Sequence, residues 1–189
     1  MSLFLTGATG LTGGLFLDKL SHVYPNTQIS CLVRPTSNYD SIAQLPLKFH
    51  YLTGDSSSVE SWTNILDSHT PETIIHIAQL RHVSALLSGL NHYRKKPRLI
   101  IIGTTGVYSK YNEYSQEYKE AEAQLNTYSG SYCVLRPTMI YGSPRDKNIH
   151  KLIKFCDQYG FFPVFGSGEN LLQPIHAEDL AQALLSVYQ

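Results

Sequence analysis

The sequence predicts an α/β fold in which a doubly wound parallel sheet carries helices on both faces. The first observation is that six short apolar runs, rich in β-branched and bulky side chains, recur along the 189 residues. The second is that polar segments of helix length separate most of these runs. Strands that are apolar on both faces are typical of a parallel sheet, because right-handed crossovers place helices on each side of it.

The elements follow one another in the order that this fold requires. Residues 3–5 form the first apolar run, then comes a glycine-containing loop, and leucines at helical spacing continue from 11 to 20. Further strands are predicted at 29–33, 49–52, 74–77, 99–102 and 132–135. We find no internal repeat and no linker, so residues 1–189 are interpreted as one domain. The segment 137–176, which is rich in proline, glycine and aromatic residues, is predicted to face a substrate in part.

Composition excludes several classes of function. Fifteen basic and 15 acidic residues leave no net charge, so bulk electrostatics favours neither nucleic acid nor an anionic membrane as a partner. No apolar run approaches the ~20 residues that cross a bilayer, and the first residues lack the features of a signal peptide. We therefore expect a cytoplasmic protein. The histidines and the three cysteines show no metal-ligand spacing, so no metal site is predicted and the thiols are expected to be reduced.

The strongest motif lies between the first predicted strand and the first predicted helix, and it reads Thr-Gly-Ala-Thr-Gly-Leu-Thr-Gly over residues 6–13. Gly7 and Gly10 allow a tight turn and close approach to a pyrophosphate, and Gly13 allows close packing of the helix. The helix N-terminus offers free N–H donors to an anion. The motif predicts a Rossmann-type NAD(P) site that includes Thr9 and Leu11. The alternative is a strand-to-helix turn without a ligand.

This TGxxGxxG spacing resembles the short-chain dehydrogenase/reductase superfamily, and in particular its extended and atypical branches. Three later segments agree with the resemblance: Gly-Thr-Thr-Gly-Val-Tyr at 103–108, Leu-Arg-Pro-Thr-Met-Ile-Tyr-Gly at 135–142, and Pro-Ile-His-Ala-Glu-Asp-Leu-Ala at 174–181. The resemblance implies an NAD(P)-dependent epimerase, dehydratase or reductase that acts on a nucleotide sugar or a similar small carbonyl or hydroxyl compound. It also implies that the chain can form a homodimer.

The residue that follows the second strand points to the choice of cofactor. A carboxylate there binds the ribose 2′-OH of NAD, whereas an arginine accepts the 2′-phosphate of NADP. Arg34 occupies this position and favours NADP, the alternative being a solvated loop arginine. The resemblance implies further cofactor contacts for Asp55, Ala78, Arg136 and Pro137. As an alternative, Asp55 caps the turn that follows it.

The catalytic residues depart from the pattern of the family, whose reaction uses a tyrosine with a lysine four residues later and a Ser/Thr hydroxyl. No tyrosine here is followed by a lysine at that distance. Lys119 and Glu122 match a Lys-x-x-Glu spacing of the family's catalytic helix, and this register puts Ser115 at the tyrosine position. Tyr114 can reach the site only if the helix begins near Ser115, because five residues rotate side chains apart by about 140°.

Thr104, Tyr114 and Lys119 are therefore the predicted catalytic residues, and Lys119 is also expected to bind the nicotinamide ribose. Tyr108 and Tyr118 are further candidates for the tyrosine. Loss of the usual tyrosine favours an alternative, a non-catalytic NAD(P)-binding redox sensor or accessory subunit. A tyrosine hydroxyl beside Lys119 and the nicotinamide pocket would favour the enzyme.

Two expectations concern the last third of the chain. Arg145 and Lys147 are candidates to meet a diphosphate, with solvated loop cations as the alternative. His176 and Asp179 open the last predicted helix, and Asp179 is expected to cap it and pack there. Extended members of the family continue past this helix with a substrate lobe, so this lobe is expected to be reduced or truncated here.

Overall fold

The computed structural model describes residues 2–91, 93–111, 113–146, 149–164, 166–169 and 171–189. Six parallel strands form one sheet in the order β3-β2-β1-β4-β5-β6. Their bounds are β1 Leu3–Thr6, β2 Gln28–Val33, β3 Lys48–Thr53, β4 Thr73–His76, β5 Arg98–Ile102 and β6 Tyr132–Leu135. Each contains or closely matches one predicted run, and the predicted doubly wound Rossmann-type fold is confirmed.

Seven α-helices connect or follow these strands in the described part of the chain. Their bounds are α1 Leu11–Val23, α2 Asp40–Ala43, α3 Val59–Ser68, α4 Val83–Leu90, α5 Ser115–Leu125, α6 Ile149–Tyr159 and α7 Ala177–Tyr188. Single 3₁₀ turns at Leu80–His82 and Thr105–Tyr108 follow β4 and β5. None of the helices that the structure describes is both long and apolar enough to span a membrane.

Alternate side chains of the central strands point to opposite faces of the sheet and form two cores. Leu3 and Leu5 of β1 pack with α1 and α7, while Phe4 between them packs with α3, α4 and α5. Trp62 of α3 is fully buried and lies against Phe4, with ring centroids 5.6 Å apart. Because both faces of the central strands are covered, β1, β4 and β5 are largely apolar and buried, which explains the apolar runs at these positions of the sequence.

One buried polar chain ties the end of β1 to the end of β4. The Thr6 Oγ1 lies 3.1 Å from His76 Nδ1, and His76 Nε2 lies 3.2 Å from the Gln79 carbonyl oxygen. Since a carbonyl can only accept, Nε2 carries the proton and Nδ1 accepts from the Thr6 hydroxyl. Burial lowers the pKa of His76 to about 4, so the ring is neutral at physiological pH. The link fixes the strand ends that border the glycine loop.

The segment after β6 forms a smaller parallel sheet from β7, Ile140–Tyr141, and β8, Ile175–His176. Helix α7 begins directly after β8, and its N-cap is His176, whose Nδ1 accepts a hydrogen bond from the Glu178 amide. The expectation that Asp179 caps this helix is wrong, because Asp179 lies inside the first turn with its side chain exposed. The acidic first turn still suits the positive end of the helix dipole.

Candidate functional site

A cleft of about 610 Å³ opens at the carboxyl end of the sheet, where β1 separates β2 from β4. Ligands of open α/β sheets bind at such a reversal of strand order. The cleft is lined by Gly7, Gly10, Leu11, Thr12, Ile77, Thr104, Thr105, Thr138, Met139, Ile140, Arg145 and Asp146. Five of these, Gly7, Gly10, Leu11, Thr104 and Arg145, are site residues predicted from the sequence.

The three glycines of the loop stand at positions where a side chain would crowd the backbone. Gly7 has a φ of +75°, and a Cβ on Gly13 would lie 2.1 Å from the Gly7 carbonyl oxygen. A Cβ on Gly10 would lie 3.1 Å from that same oxygen, and the Gly10 amide donates to it. Helix α1 begins without a side-chain cap and without an acidic residue in its first turn. Its first amides are therefore available to an anion, which fits the pyrophosphate of a dinucleotide.

Arg34 and Asp55 lie at the carboxyl ends of the neighbouring strands β2 and β3. Both are exposed, and the positive charge of Arg34 is one of the smaller influences that lower the pKa of Asp55. The main influence is hydrogen bonding from Ser57, whose amide donates to Asp55 Oδ1 over 2.8 Å. Asp55 thus caps the turn after β3, as the alternative interpretation expected. The guanidinium of Arg34 is accessible to a phosphate group.

Ala78 lies against the glycine loop. Its amide nitrogen would be 3.2 Å from a Cβ built on Gly7, and it donates to the Thr6 hydroxyl oxygen over 3.3 Å. That hydroxyl in turn donates to His76. Ala78 is therefore held beside the loop by the buried hydrogen bonds of Thr6 and His76 that join β1 to β4.

Thr104 follows β5 and faces the cleft together with Thr105. Its Oγ1 accepts a hydrogen bond of 3.0 Å from the Gly106 amide and caps the 3₁₀ turn. The hydroxyl proton can still be donated to a ligand, because the Gly106 amide uses only a lone pair. Pro137 is buried, and its carbonyl accepts from the Thr105 amide over 3.2 Å. Pro137 thereby supports the position of the two threonines.

Helix α5 begins at Ser115, so Tyr114 is its N-cap and stands outside the helical repeat. A helix that begins near Ser115 is the condition under which the sequence allowed Tyr114 to reach the site. The ring of Tyr114 lies beneath the Arg81 guanidinium, with 4.8 Å from Cζ to the ring centroid, and 6.3 Å from the Tyr118 ring. Arg81 also approaches Glu117 at 3.8 Å. These contacts fix the Tyr114 ring between the 3₁₀ turn after β4 and the first turn of α5.

The other candidates on this helix have different surroundings. Lys119 is exposed, Tyr118 packs against the core that contains Trp62, and Tyr108 is 72% exposed after β5. The described residues that line the cleft do not include Tyr108, Tyr114, Tyr118 or Lys119. The predicted approach of a tyrosine hydroxyl to Lys119 and the nicotinamide pocket stays a prediction.

Arg136 forms an ion pair that the sequence did not indicate. Its Nε and Nη2 donate to the two carboxylate oxygens of Glu122 over 2.7 and 2.8 Å, which also raises the pKa of Arg136. Gly103 lies beneath this pair, since a Cβ there would be 2.9 Å from Val134 Cγ1 and 3.6 Å from Glu122 Oε1. The pair joins the end of β6 to α5, three residues after Lys119 on the helix. Arg136 thus positions this wall of the site.

Arg145 reaches the glycine loop from the segment after β7. Its Nη2 donates to the Thr9 carbonyl over 2.7 Å, although 136 positions separate the two residues. Lys147, the other predicted diphosphate contact, lies outside the described residues. The cleft residues at 138–140 were missed as individual contacts. The signal that could have found them is that they directly follow the Arg136-Pro137 motif.

No protein-family model matches the chain. A curated relative, the trifunctional UDP-glucose 4,6-dehydratase/UDP-4-keto-6-deoxy-D-glucose 3,5-epimerase/UDP-4-keto-L-rhamnose-reductase of Arabidopsis thaliana, is 22% identical over 96% of this chain. The chain spans about a third of that relative, 34% of its length.

Two solved structures superpose on nearly the whole chain. The dTDP-glucose 4,6-dehydratase of Bacillus anthracis, in complex with NAD, is 19% identical with a TM-score of 0.76, over 99% of this chain and 71% of its own. An NADPH-dependent quinone oxidoreductase of Escherichia coli is 19% identical with a TM-score of 0.75, over 98% of this chain and 62% of its own. The chain has the fold of these enzymes.

Proposed function

We propose that this domain binds NAD(P) at the glycine loop and acts on a nucleotide sugar or a similar small carbonyl or hydroxyl compound. The observation that carries the proposal is the fit of the loop to a pyrophosphate. A Cβ on Gly13 would overlap the Gly7 carbonyl, and the first amides of α1 face the cleft without a capping side chain. A turn without a ligand would tolerate a capping serine or aspartate, two of the residues that helix N-caps prefer.

Three groups would hold the cofactor. The loop from Gly7 to Gly13, including Thr9 and Leu11, would bind the bridging phosphates through backbone amides. Arg34 would bind a 2′-phosphate, which favours NADP over NAD. Ala78 would lie beside the adenosine half, since its backbone borders Gly7. When bound, the nicotinamide supplies hydride transfer.

Protein groups on the side of the cleft away from the glycine loop would exchange a proton with a substrate oxygen. Thr104 can donate its hydroxyl proton to a substrate oxygen while its Oγ1 remains fixed by the Gly106 amide. Tyr114 is the tyrosine best suited to exchange a proton with the same oxygen, because the N-cap position frees it from the helical repeat and Arg81 fixes its ring. Lys119 would bind the nicotinamide ribose, and the Arg136–Glu122 pair would hold its helix against β6.

The names of three relatives support the substrate class. A dTDP-glucose 4,6-dehydratase and the trifunctional UDP-glucose 4,6-dehydratase support a nucleotide sugar. A quinone oxidoreductase supports the alternative of a small carbonyl compound. The segment 137–176 would face the substrate in part, since Thr138, Met139 and Ile140 line the cleft.

A non-catalytic NAD(P)-binding protein is the second candidate. It is favoured by Ser115 at the position that the Lys119 register assigns to the tyrosine, and by the exposure of Lys119 away from the residues that line the cleft. Such a protein would bind the cofactor with the same residues but would not turn over a substrate.

Titration of wild type and of Arg34→Ala with NADPH and NADH tests the proposal. We expect Arg34→Ala to weaken NADPH binding by about tenfold or more and to leave NADH unchanged, because a hydrogen-bonded charge contributes about 1.5–3 kcal/mol. Turnover with a panel of nucleotide sugars then separates enzyme from sensor. Equal affinity for both cofactors in both proteins removes the preference for NADP, and no binding at millimolar concentration removes the proposed function.

A further inference from the structure

We propose that Arg145 is a phosphate ligand that closes the cleft from the side opposite the glycine loop. The inference rests on the proposed function, because it assigns a further residue to the same site. It starts from the hydrogen bond between Arg145 Nη2 and the Thr9 carbonyl oxygen, 2.7 Å long. Both Arg145 and the adjacent Asp146 line the cleft that the glycine loop borders.

The backbone of Arg145 is fixed before any ligand arrives. Ser143 to Asp146 form a turn in which the Asp146 amide donates to the Ser143 carbonyl and the Arg145 amide donates to Ser143 Oγ. Pro144 at the second position suits such a turn because its φ is preset. Asp146 Oδ1 accepts from the His150 amide, which ties the end of the turn to α6.

The start of the turn is fixed as well. Gly142 has a φ of +109°, and a Cβ there would lie 2.2 Å from His176 Nε2. Only glycine lets the chain pass so close to the ring that caps α7. The turn that carries Arg145 is therefore anchored to α6 on one side and packed against α7 on the other, and it can present a side chain with little loss of conformational entropy.

The contact with Thr9 has an electrostatic consequence. A carbonyl oxygen at the mouth of an anion site repels the anion, and the guanidinium of Arg145 offsets that repulsion. Arginine has five N–H donors in a planar fork, of which Thr9 takes one. The fork suits the oxygens of a phosphate. Arg145 thus adds a full positive charge to a site where α1 contributes only the partial charge of its first amides.

Under the proposed function, two sources of phosphate would reach this place, the bridging phosphates of the dinucleotide and the diphosphate of a nucleotide-linked substrate. Calorimetric titrations of the full chain separate them. ADP-ribose has the bridging phosphates without the nicotinamide or a 2′-phosphate, and UDP, added with saturating NADPH, stands for the substrate diphosphate. Each is titrated into wild type, Arg145→Ala, and Arg94→Ala as a matched control that removes an exposed arginine near the opposite end of the sheet.

We expect Arg145→Ala to weaken one of the two ligands by about tenfold or more, with a shallower dependence on salt, while Arg94→Ala binds both like wild type. Loss for ADP-ribose assigns Arg145 to the cofactor, and loss for UDP alone assigns it to the substrate. Unchanged affinity for both ligands in Arg145→Ala overturns the inference and leaves the proposed function standing. If wild type binds neither NADPH nor ADP-ribose, the proposed function falls and the inference with it.

Arg145→Gln tests the charge, and it serves also if Arg145→Ala does not fold. Glutamine keeps a polar side chain on the turn, but it is shorter than arginine and carries no charge. We expect the same tenfold loss of phosphate affinity with an unchanged melting temperature. Wild-type affinity in this variant would mean that Arg145 only holds the turn in place, which overturns the proposal.

Discussion

One wall of the cleft presents backbone, whereas the opposite wall presents side chains. The glycine loop between β1 and α1 offers amides, and its shape depends on three residues that have no Cβ. The opposite side-chain wall consists of Thr104, which lines the cleft, and of Tyr114 and Arg136, which lie outside the described lining. Thr104 is fixed by the Gly106 amide of the turn it caps, whereas Arg81 contacts Tyr114 and Glu122 pairs with Arg136 from other elements. The first wall is defined by local spacing, and the second by how distant elements pack.

The comparison predicts different responses to mutation. An added methyl group should damage the backbone wall, where no atom can move aside cheaply. Removal of one polar atom should damage the side-chain wall, whose chemistry depends on individual groups. Three experiments test this contrast.

Tyr114→Phe removes one hydroxyl from the side-chain wall. If Tyr114 exchanges a proton with the substrate, turnover should fall by about 10²–10⁴-fold while the affinity for NADPH is retained. Steady-state kinetics on an active nucleotide sugar and a cofactor titration measure the two effects. Tyr118→Phe is the matched control, since Tyr118 packs against the core on the same helix. Undiminished turnover in Tyr114→Phe would show that the proton passes through another group.

Gly13→Ala adds one methyl group to the backbone wall. The new Cβ would start 2.1 Å from the Gly7 carbonyl oxygen, so the loop or α1 must shift, at a cost of about 3 kcal/mol. We expect a lower free energy of unfolding and loss of dinucleotide binding. Gly14→Ala is the control in the same helix, because its Cβ would meet nothing closer than the Ala8 oxygen at 4.0 Å. That variant should be more stable by about 0.5–1 kcal/mol. Equal behaviour of the two alanines would refute the close packing of the loop.

The buried His76 beneath the backbone wall predicts a dependence of stability on pH. The unfolded ring titrates near 6.5 and the folded ring near 4, so between these values the unfolded chain binds the extra proton. The free energy of unfolding should therefore be fully present above about pH 6.5 and fall by about 2 kcal/mol on going down to pH 5. Denaturant titrations at several pH values measure this slope.

His76→Gln should lose that slope because its side chain does not titrate, whereas the exposed His22→Gln should keep it. A wild-type stability that stays constant from pH 7 to pH 5 would show that His76 is not held neutral. It would also weaken the link between β1 and β4 as the support of the loop.

The sequence predicted the sheet and the backbone wall well for a physical reason. Central strands that are buried on both faces need apolar residues, and loop positions without room for a Cβ need glycine. Each requirement is therefore visible in the residue type at the position itself. Arg34, Asp55 and Ala78 could be placed in the same way, because each comes shortly after a strand that the sequence predicts. Their positions follow from the strands, although their contacts with a cofactor stay predictions.

The side-chain wall could not be predicted in the same way. Helix α5 begins at Ser115 with Tyr114 as an N-cap that makes no side-chain capping hydrogen bond, so no N-cap signal marked its start and the register of Tyr114 remained open. The pairing of Arg136 with Glu122 depends on how α5 packs on β6. The contact of Arg145 with Thr9 joins residues 136 positions apart. Such contacts depend on tertiary geometry, which spacing along the chain does not encode.

The packing of α7 against α1 has a consequence for the synthesis of the protein. Leu180, Leu184 and Leu185 of the last helix share one core with Phe16 and Leu17 of the first. The ribosome releases α1 early; part of its apolar face packs against β1 and β2, but the part that meets α7 lacks its partner until α7 has emerged. Chaperones that cover exposed apolar surface should therefore bind nascent chains of this protein through α1, and release them only when α7 takes their place.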